Sequence, residues 1–569
     1  MIILKLFLQQ VKTLSAYFGS KKLIVIYFLS AALLVWLFAL ISYLIMKRNR
    51  KKLLKKIRAG WGQPDYDFRN FDLIENYSRH HQSSAYHRLT PQTIKDLDFH
   101  QLFCFIDRTN SSPGRQYLFD KLLRPSADPA ELEIFNKQVE FFSANKKERE
   151  EVQILLSAGN NTDAYFISHL LTDKLMEKTK WTNIFIADTV LVSLLLVLSF
   201  KFPVLLIWLI LPFGINLFFH HWNKKNTGRF SRSLPQLDIL LKTTAKLLKK
   251  DLPFEKAKAQ LSMKSLKGFQ RKFRFINLGK AAESDLAQIL LLVSTLLKAL
   301  FLVEIHFFFS VMKTLNNKSQ DIDQILRYTG NIDAAISTAS LRAGIKNYCT
   351  PVFTGRKKEL HTKSMVHPLV ENCVPNSIDI NDRSILITGS NMSGKSTFIR
   401  AVAINCLLAQ TIYTCFAEEY IAPLVKLFSA IRIEDSVMDG KSYYFEEVNI
   451  ISVLIGHSPG PFQNMFILDE VFKGTNTIER VAAAKAILSY LNKNENIVLV
   501  STHDIELAEL LKNEYDLYHF VDDIEKEELV FDHKLKQGPL LSRNAIRMLE
   551  LSGYPAEITN EAKRIAQNK

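Results

Sequence analysis

The sequence predicts an α/β domain with a parallel sheet at the C-terminus, preceded by an all-α region that carries transmembrane helices. Three observations lead there. Apolar runs of membrane length interrupt the first 222 residues. From Leu234 to Leu341 the apolar residues recur at helical spacing. After Asn347, short β-branched runs (Ser384–Thr388, Met465–Leu468, Ile497–Ser501) alternate with helical segments, the pattern of a parallel sheet.

A chain of 569 residues exceeds one compact core and divides into several units. Residues 1–60 form an N-terminal membrane anchor with a basic flank, and 61–182 a linker with the first part of a helical core. Residues 183–222 form a transmembrane hairpin, 223–346 a helical lever region, and 347–569 the α/β domain. The net charge of +16 fits either the flanks of membrane helices or contact with nucleic acid or anionic lipid. The five cysteines (Cys104, Cys349, Cys373, Cys406, Cys415) are odd in number and lack CxxC spacing, so neither a disulfide framework nor a zinc site is indicated.

Leu23–Met46 is uncharged and long enough to span a bilayer as a helix. Eight of the twelve residues from Lys47 to Arg58 are basic, which places the following chain in the cytoplasm. A cleaved signal peptide is disfavoured by the length and late start of the run. Ile184–Phe219 is broken at Lys201-Phe202-Pro203 into two halves of about 17 residues, the lower limit for spanning. Lys178 and Lys180 before it, and Lys224, Lys225 and Arg229 after it, fit a hairpin with both ends cytoplasmic. A buried soluble hairpin is the alternative, because Asp188 and Lys201 weaken the membrane signal. Ile289–Met312 contains Lys298, Glu304 and His306 and is expected to be a core helix. The expected location is the inner cell membrane, multi-pass, with the C-terminal domain on the cytoplasmic side. In the helical core, Asp98–Ile106, Gly114–Leu123 and Ala130–Phe142 are expected helices, the last opened by Asp128-Pro129.

The strand Ser384–Thr388 runs into Gly389-Ser390-Asn391-Met392-Ser393-Gly394-Lys395-Ser396-Thr397 and then an apolar helix. This is GxxxxGKS in its required strand–loop–helix setting. Glycines let backbone N–H groups turn toward phosphates, and the helix N-terminus adds positive potential. Lys395 is expected to reach the β- and γ-phosphates of ATP, and Ser396 to offer its hydroxyl to Mg²⁺. Met465–Leu468 ends in Asp469 and Glu470: the first suits Mg²⁺, and the second can orient or deprotonate an attacking water. A neighbouring strand ends in Ser501-Thr502-His503, which directs His503 to the γ-phosphate region.

These segments together resemble the MutS family, whose ATPase domain is related to the ABC-type ATPases. Thr388–Thr397 is similar to the family's TGxNMxGKST, Asp469–Thr477 to its DExxxGTST, and Thr502-His503 to its THxxxL. Asp439–Glu447 resembles its SGxSxFxxE signature, His367-Pro368-Leu369 its domain opening, and Gly553-Tyr554-Pro555 its C-terminal segment. Upstream, Ile106–Arg115 and Leu122–Pro125 resemble the start of its helical core. The likeness covers about 96–180 and 223–569. It implies an ATP-hydrolysing enzyme that works as a homodimer, with Ser442 delivered to the partner's ATP, on double-stranded DNA, mismatched DNA included. Residues 1–95 contain no Phe-x-Glu wedge of the mismatch-reading kind, and Cys373 stands where the family has an adenine-stacking aromatic. The basic stretches Lys242–Lys250 and Lys264–Arg274 are candidate DNA surfaces, or else solvated faces and lipid-headgroup contacts. The alternative function is an ATP-driven membrane-remodelling or signalling module with no nucleic-acid role.

Overall fold

The computed structural model describes residues 20–65, 68–81, 85–171, 181–226, 228–276, 300–390, 393–432, 443–473, 475–525, 528–540, 549–550 and 553–567. Ser442, Asn391, Met392, Gly474, Lys178, Lys180 and the first part of Ile289–Met312 lie outside them. The chain divides into two units, Met1–Trp61 and Gly62–Lys569.

In the first unit, α1 (Ser20–Gly60) joins the apolar run and the basic flank into one helix. It is the one helix among the described residues that is long and apolar enough to cross a membrane. Its described apolar side chains, such as Leu34, Trp36, Phe38 and Met46, are exposed.

In the second unit, α2 (Pro91–Asp96) and Phe99–Ile106 lead into α3 (Ser112–Leu123) and α4 (Pro129–Ala144). Pro113 and Pro129 sit in the first turn, where a missing N–H costs nothing. Ser111 and Asp128 cap these helices by accepting from Gly114 N and Ala130 N. The apolar hairpin is α5 (Trp181–Ser199) and α6 (Ile210–Asn226), with a 3₁₀ stretch over Pro203–Leu209. The described apolar parts of both arms are shorter than the membrane-length criterion that α1 meets. Between the arms, Asn216 donates to Asp188 Oδ2 at 2.8 Å. The hairpin meets α7 (Val303–Leu315) through Thr189 and His306, 2.7 Å apart. The buried face of α7 includes Ile305, Phe308, Val311 and Leu315. The long α8 (Ser319–Gly344) follows.

Helices α3 and α8 cross at glycines. A Cβ on Gly114 would stand 2.1 Å from Asp333 Oδ2, and one on Gly330 would stand 2.4 Å from Tyr117 Cβ. Asp333 cannot swing away. Its Oδ1 accepts from Asn110 N and Nδ2, and its Oδ2 from Ser111 N and Oγ, all within 3.0 Å. Complete burial nonetheless pushes its carboxyl up to about 6, against those hydrogen bonds. Asp107, also buried, is held below the usual carboxylate range: burial opposes this, and Arg115 and Arg69 outweigh it. Gly114→Ala is therefore expected to cost about 3 kcal/mol through overpacking. A denaturant midpoint equal to the parent's would contradict this close crossing.

The C-terminal part holds two sheets. Strands β1 (Val352–Phe353), β2 (Glu359–Met365), β3 (Asn376–Asn381) and β5 (Glu419–Ala422) form a mixed sheet in the order β1-β5-β2-β3. The six-stranded sheet has the order β10-β9-β4-β8-β7-β6. Its strands are β4 (Ser384–Thr388), β6 (Lys426–Ala430), β7 (Asn464–Asp469), β8 (Ile497–Thr502), β9 (Tyr515–Glu525) and β10 (Glu528–Gln537). All neighbours are parallel except the β9–β10 hairpin. Strands β4 and β8 are buried at every position, as expected for central strands covered on both faces. Helices α9 (Lys395–Ile412), α10 (Tyr443–His457) and α11 (Thr477–Leu491) complete the layers. The parallel sheet was expected; the mixed sheet and the C-terminal hairpin are additions to that expectation.

Candidate functional site

The loop between β4 and α9 turns on Gly389 (φ 145°) and Gly394 (φ 112°). Only glycine adopts such angles without strain, and space is short as well. A Cβ on Gly389 would lie 2.9 Å from Phe520 O. Lys395 opens α9, is 2% exposed, and donates through Nζ to the Gly389 and Ser390 carbonyls, both at 2.6 Å. Its ammonium thus sits at the centre of the loop, at the positive end of an 18-residue helix. Ser393 Oγ donates to Ser390 O at 2.8 Å and tightens the turn.

Parallel pairing of β4 with β8, and of β8 with β7, brings the second cluster to the same sheet edge. Ser396 Oγ donates to Asp469 Oδ2 at 2.6 Å, and Ser501 Oγ donates to Asp469 Oδ1. A hydroxyl and a carboxylate at the end of a buried strand are hard oxygen donors of the kind Mg²⁺ prefers. Glu470, one residue on, has φ 52° and is locked there by its N–H to Ser501 O at 2.9 Å. A left-handed glutamate is strained, and such strain gathers at functional positions. Glu470 Oε1 lies 2.5 Å from His503 Nε2, and Oε2 lies 2.8 Å from Lys473 Nζ. Half-burial would raise its carboxyl, but hydrogen bonds from His503 and Lys473 override that and hold it at about 2. Beyond His503, Asp504 receives a two-pronged contact from Arg480 at 2.7 and 3.0 Å.

Next to the loop is a cavity of about 320 Å³, lined among others by His367, Cys373, Thr397, Phe520 and His533. Cys373 does face this cavity. So does His533, which sequence reasoning missed because it sits on a bulge of β10, between Phe531 and Leu535. Its Nδ1 lies 3.0 Å from Ser393 O, and Asn376 fastens the bulge by contacting His533 O and Leu535 N.

Two further residues take roles that the sequence does not show, Glu447 of the Asp439–Glu447 segment and Asp96. Glu447 is 1% exposed and accepts from Lys473 N at 3.1 Å, tying α10 to the loop after Glu470. Asp96, fully buried at the end of α2, accepts from Ser429 Oγ (2.7 Å), Ile431 N (3.0 Å), Arg432 N (2.8 Å) and Gln92 Nε2 (2.9 Å). Burial drives its carboxyl upward, against four hydrogen bonds that favour the charge. It fixes the end of β6, where the chain enters residues 433–442. Among the expected site residues, the structure thus gathers Gly389, Ser390, Ser393, Gly394, Lys395, Ser396, Thr397, Asp469, Glu470 and His503.

A parallel sheet with a glycine loop, a lysine and hydroxyl at the helix start, and an acidic strand end beside them defines a P-loop nucleotide-binding domain. Residues 385–568 match the model of MutS domain V. The chain is 32% identical over 274 residues to the DNA mismatch repair protein MutS of Thermotoga maritima, covering 47% of this chain and 34% of that protein. It is 31% identical over 279 residues to MutS of Listeria monocytogenes serovar 1/2a (47% and 32%), and 29% identical over 268 residues to MutS of Thermus thermophilus (46% and 32%). The matches therefore span about a third of the relatives' length. The C-terminal part of the chain is thus similar to MutS proteins.

Proposed function

We propose that this protein is a membrane-associated ATPase that binds and hydrolyses ATP at a homodimer interface and engages double-stranded DNA, in the manner the names of its relatives suggest. The observation that carries the ATPase reading is the convergence of Lys395, Ser396, Asp469, Glu470 and His503 on one sheet edge. The positive-φ glycines Gly389 and Gly394 and the adjoining cavity of about 320 Å³ support the same reading. Ser396 and Asp469 would hold Mg²⁺, which when bound supplies charge neutralisation on the phosphate oxygens.

In this reading Lys395 exchanges the Gly389 and Ser390 carbonyls for phosphate oxygens. Glu470, ionised and held in place by His503 and Lys473, accepts a hydrogen bond from the attacking water and orients it. A carboxylate held at about 2 is too weak a base to take the proton early, so positioning is its main task. His503 stands beside it as a second donor toward the γ-phosphate. Ser442, outside the described residues, is proposed to complete the partner's site. His533 and Cys373 would border the base.

Membrane association is supported by α1 and by exposed apolar side chains along the hairpin, including Val197, Phe200, Val204, Trp208 and Leu211. The same observation favours a second reading, in which ATP-driven dimerisation acts on the hairpin and no nucleic acid takes part. The candidate DNA surfaces are partly neutralised: Lys250 is held by Glu148 and Glu151, and Lys242 by Asp238.

One experiment separates the readings. Detergent-purified protein is titrated with homoduplex and mismatched duplex across a salt series. A steep, equal loss of affinity with salt indicates phosphate contact, and a preference for the mismatch indicates base-step recognition. No binding at low salt would reject DNA as a partner and leave the membrane reading.

A further inference from the structure

Cys349 and Cys415 face each other across an antiparallel bridge between two segments far apart in sequence. Each backbone N–H donates to the other's carbonyl, at 3.0 and 2.9 Å. Such a hydrogen-bonded pair sets the Cα atoms about 5.5 Å apart with both side chains on one side of the ladder. Disulfides span about 4.4–6.8 Å between Cα atoms, a range that includes this spacing, and closing one draws the two Cβ atoms in to about 4.5 Å or less. Both cysteines are free thiols in the structure.

The bridge has a particular location. Cys349 follows the end of α8, and Cys415 follows the end of α9, the helix that begins at Lys395. At the same joint, the buried Arg342 of α8 donates to Tyr413 O (2.7 Å) and Thr414 Oγ1 (3.0 Å). The helical region and the nucleotide-binding domain are thus connected here by polar contacts that can be remade.

We propose that Cys349 and Cys415 form a reversible disulfide under oxidation by hydrogen peroxide, and that this bond locks the joint between α8 and the P-loop helix. The two thiols differ as the chemistry requires. Cys349 is partly exposed, and a hydrogen bond from the Cys415 thiol holds it below its usual range despite burial. Cys415 is fully buried, and burial pushes its thiol up. The Cys349 thiolate attacks one peroxide oxygen; the O–O bond breaks, and the departing oxygen leaves as water after taking a proton. The resulting sulfenic acid is attacked by Cys415 sulfur. The S–S bond forms as the S–O bond breaks, and the hydroxide released takes the Cys415 proton as a second water. Two thiols lose two electrons and the peroxide gains them. Cys406 is fully enclosed beside Tyr420 and has no such facing cysteine among the described residues.

The test treats the full chain with hydrogen peroxide, blocks free thiols by alkylation, and maps peptides without reduction. A Cys349–Cys415 cross-linked peptide, abolished by dithiothreitol and absent from Cys349→Ser, is expected. Sulfinic acid at Cys349, or a Cys406–Cys415 link in its place, would overturn the proposal. The effect on turnover rests on the ATPase reading: oxidation is expected to slow it about fivefold in the parent and not in Cys349→Ser. Cross-linking with unchanged turnover would reject the lock. If the reduced protein shows no turnover, the ATPase reading fails by itself. The lock is then judged by thermal unfolding, where the oxidised parent should melt about 5 °C higher and Cys349→Ser should not; no shift in the parent would reject it.

Discussion

Replacing Glu470 by glutamine is expected to lower ATP turnover about 100- to 1,000-fold while leaving nucleotide affinity within about threefold of the parent. The side chain has the same shape, so the loop's left-handed backbone and its N–H contact with Ser501 are retained. What is lost is the negative charge between His503 and Lys473. A neutral amide also offers only one acceptor oxygen where the carboxylate offers two, so either His503 or Lys473 loses its contact with residue 470. Because the carboxyl is held at about 2, below an ordinary value near 4.5, its ion pairs favour the folded state at all pH values above that ordinary value. That contribution fades as pH falls toward about 2, where the native carboxylate finally protonates. Any acid limb in the turnover profile between pH 5 and 7 therefore belongs to another group, and the glutamine variant should keep that limb at reduced amplitude. Steady-state turnover alongside a nucleotide-binding titration checks both halves. Turnover within about tenfold of the parent would remove Glu470 from the water-orienting role.

The parts of this molecule legible in the sequence are those governed by short-range rules. GxxxxGKS needs glycines at positive φ and a helix start, and both are local; Gly389, Gly394 and Lys395 behave accordingly. Strands β4, β7 and β8 announce themselves because burial on both faces leaves unbroken apolar runs, Ile385–Ile387, Met465–Leu468 and Ile497–Val500, between polar ends. The helix opening at Asp128-Pro129 follows from cap chemistry that a reader sees within four residues, whereas the Ser111 cap puts the start of α3 at Ser112, two residues before the expected Gly114. The pairing of Ser396 with Asp469 was expected from chemistry, and strand order realises it, placing β4 and β7 on either side of β8.

What the sequence concealed depends on distant pairing. Asp96 reads as an ordinary helix-end acid, and its role appears only when β6 docks its free N–H groups on it from more than 300 residues away. His533 looks incidental in Phe531-Asp532-His533-Lys534, because a bulge rather than strand alternation turns it over the loop. Glu447 was noted as part of a motif, yet its grip on Lys473 N requires the fold. The Cys349–Cys415 bridge has no sequence signal, since spacing along the chain says nothing about two segments that meet across a joint.

Lys395→Ala is expected to weaken nucleotide binding at least about 100-fold, equivalent to about 3 kcal/mol. The ammonium is buried, and each of its two carbonyl contacts is a charge-assisted hydrogen bond. In the proposed bound state those contacts pass to phosphate oxygens, where opposite full charges replace dipoles and the attraction is stronger. Alanine removes this gain, and it also leaves the Gly389 and Ser390 carbonyls pointing their partial negative charge at the site the phosphates would occupy. The loss therefore exceeds that of one hydrogen bond. Arginine should not restore binding, because its planar fork is larger than the ammonium and cannot take three directions from one point between those carbonyls. A fluorescent nucleotide titration on parent, Lys395→Ala, Lys395→Arg and Glu470→Gln decides the matter. Binding retained in the glutamine variant and lost in both lysine variants separates the phosphate-holding group from the water-holding one. If Lys395→Ala binds with the parent's affinity, the ammonium is a structural cross-brace of the loop.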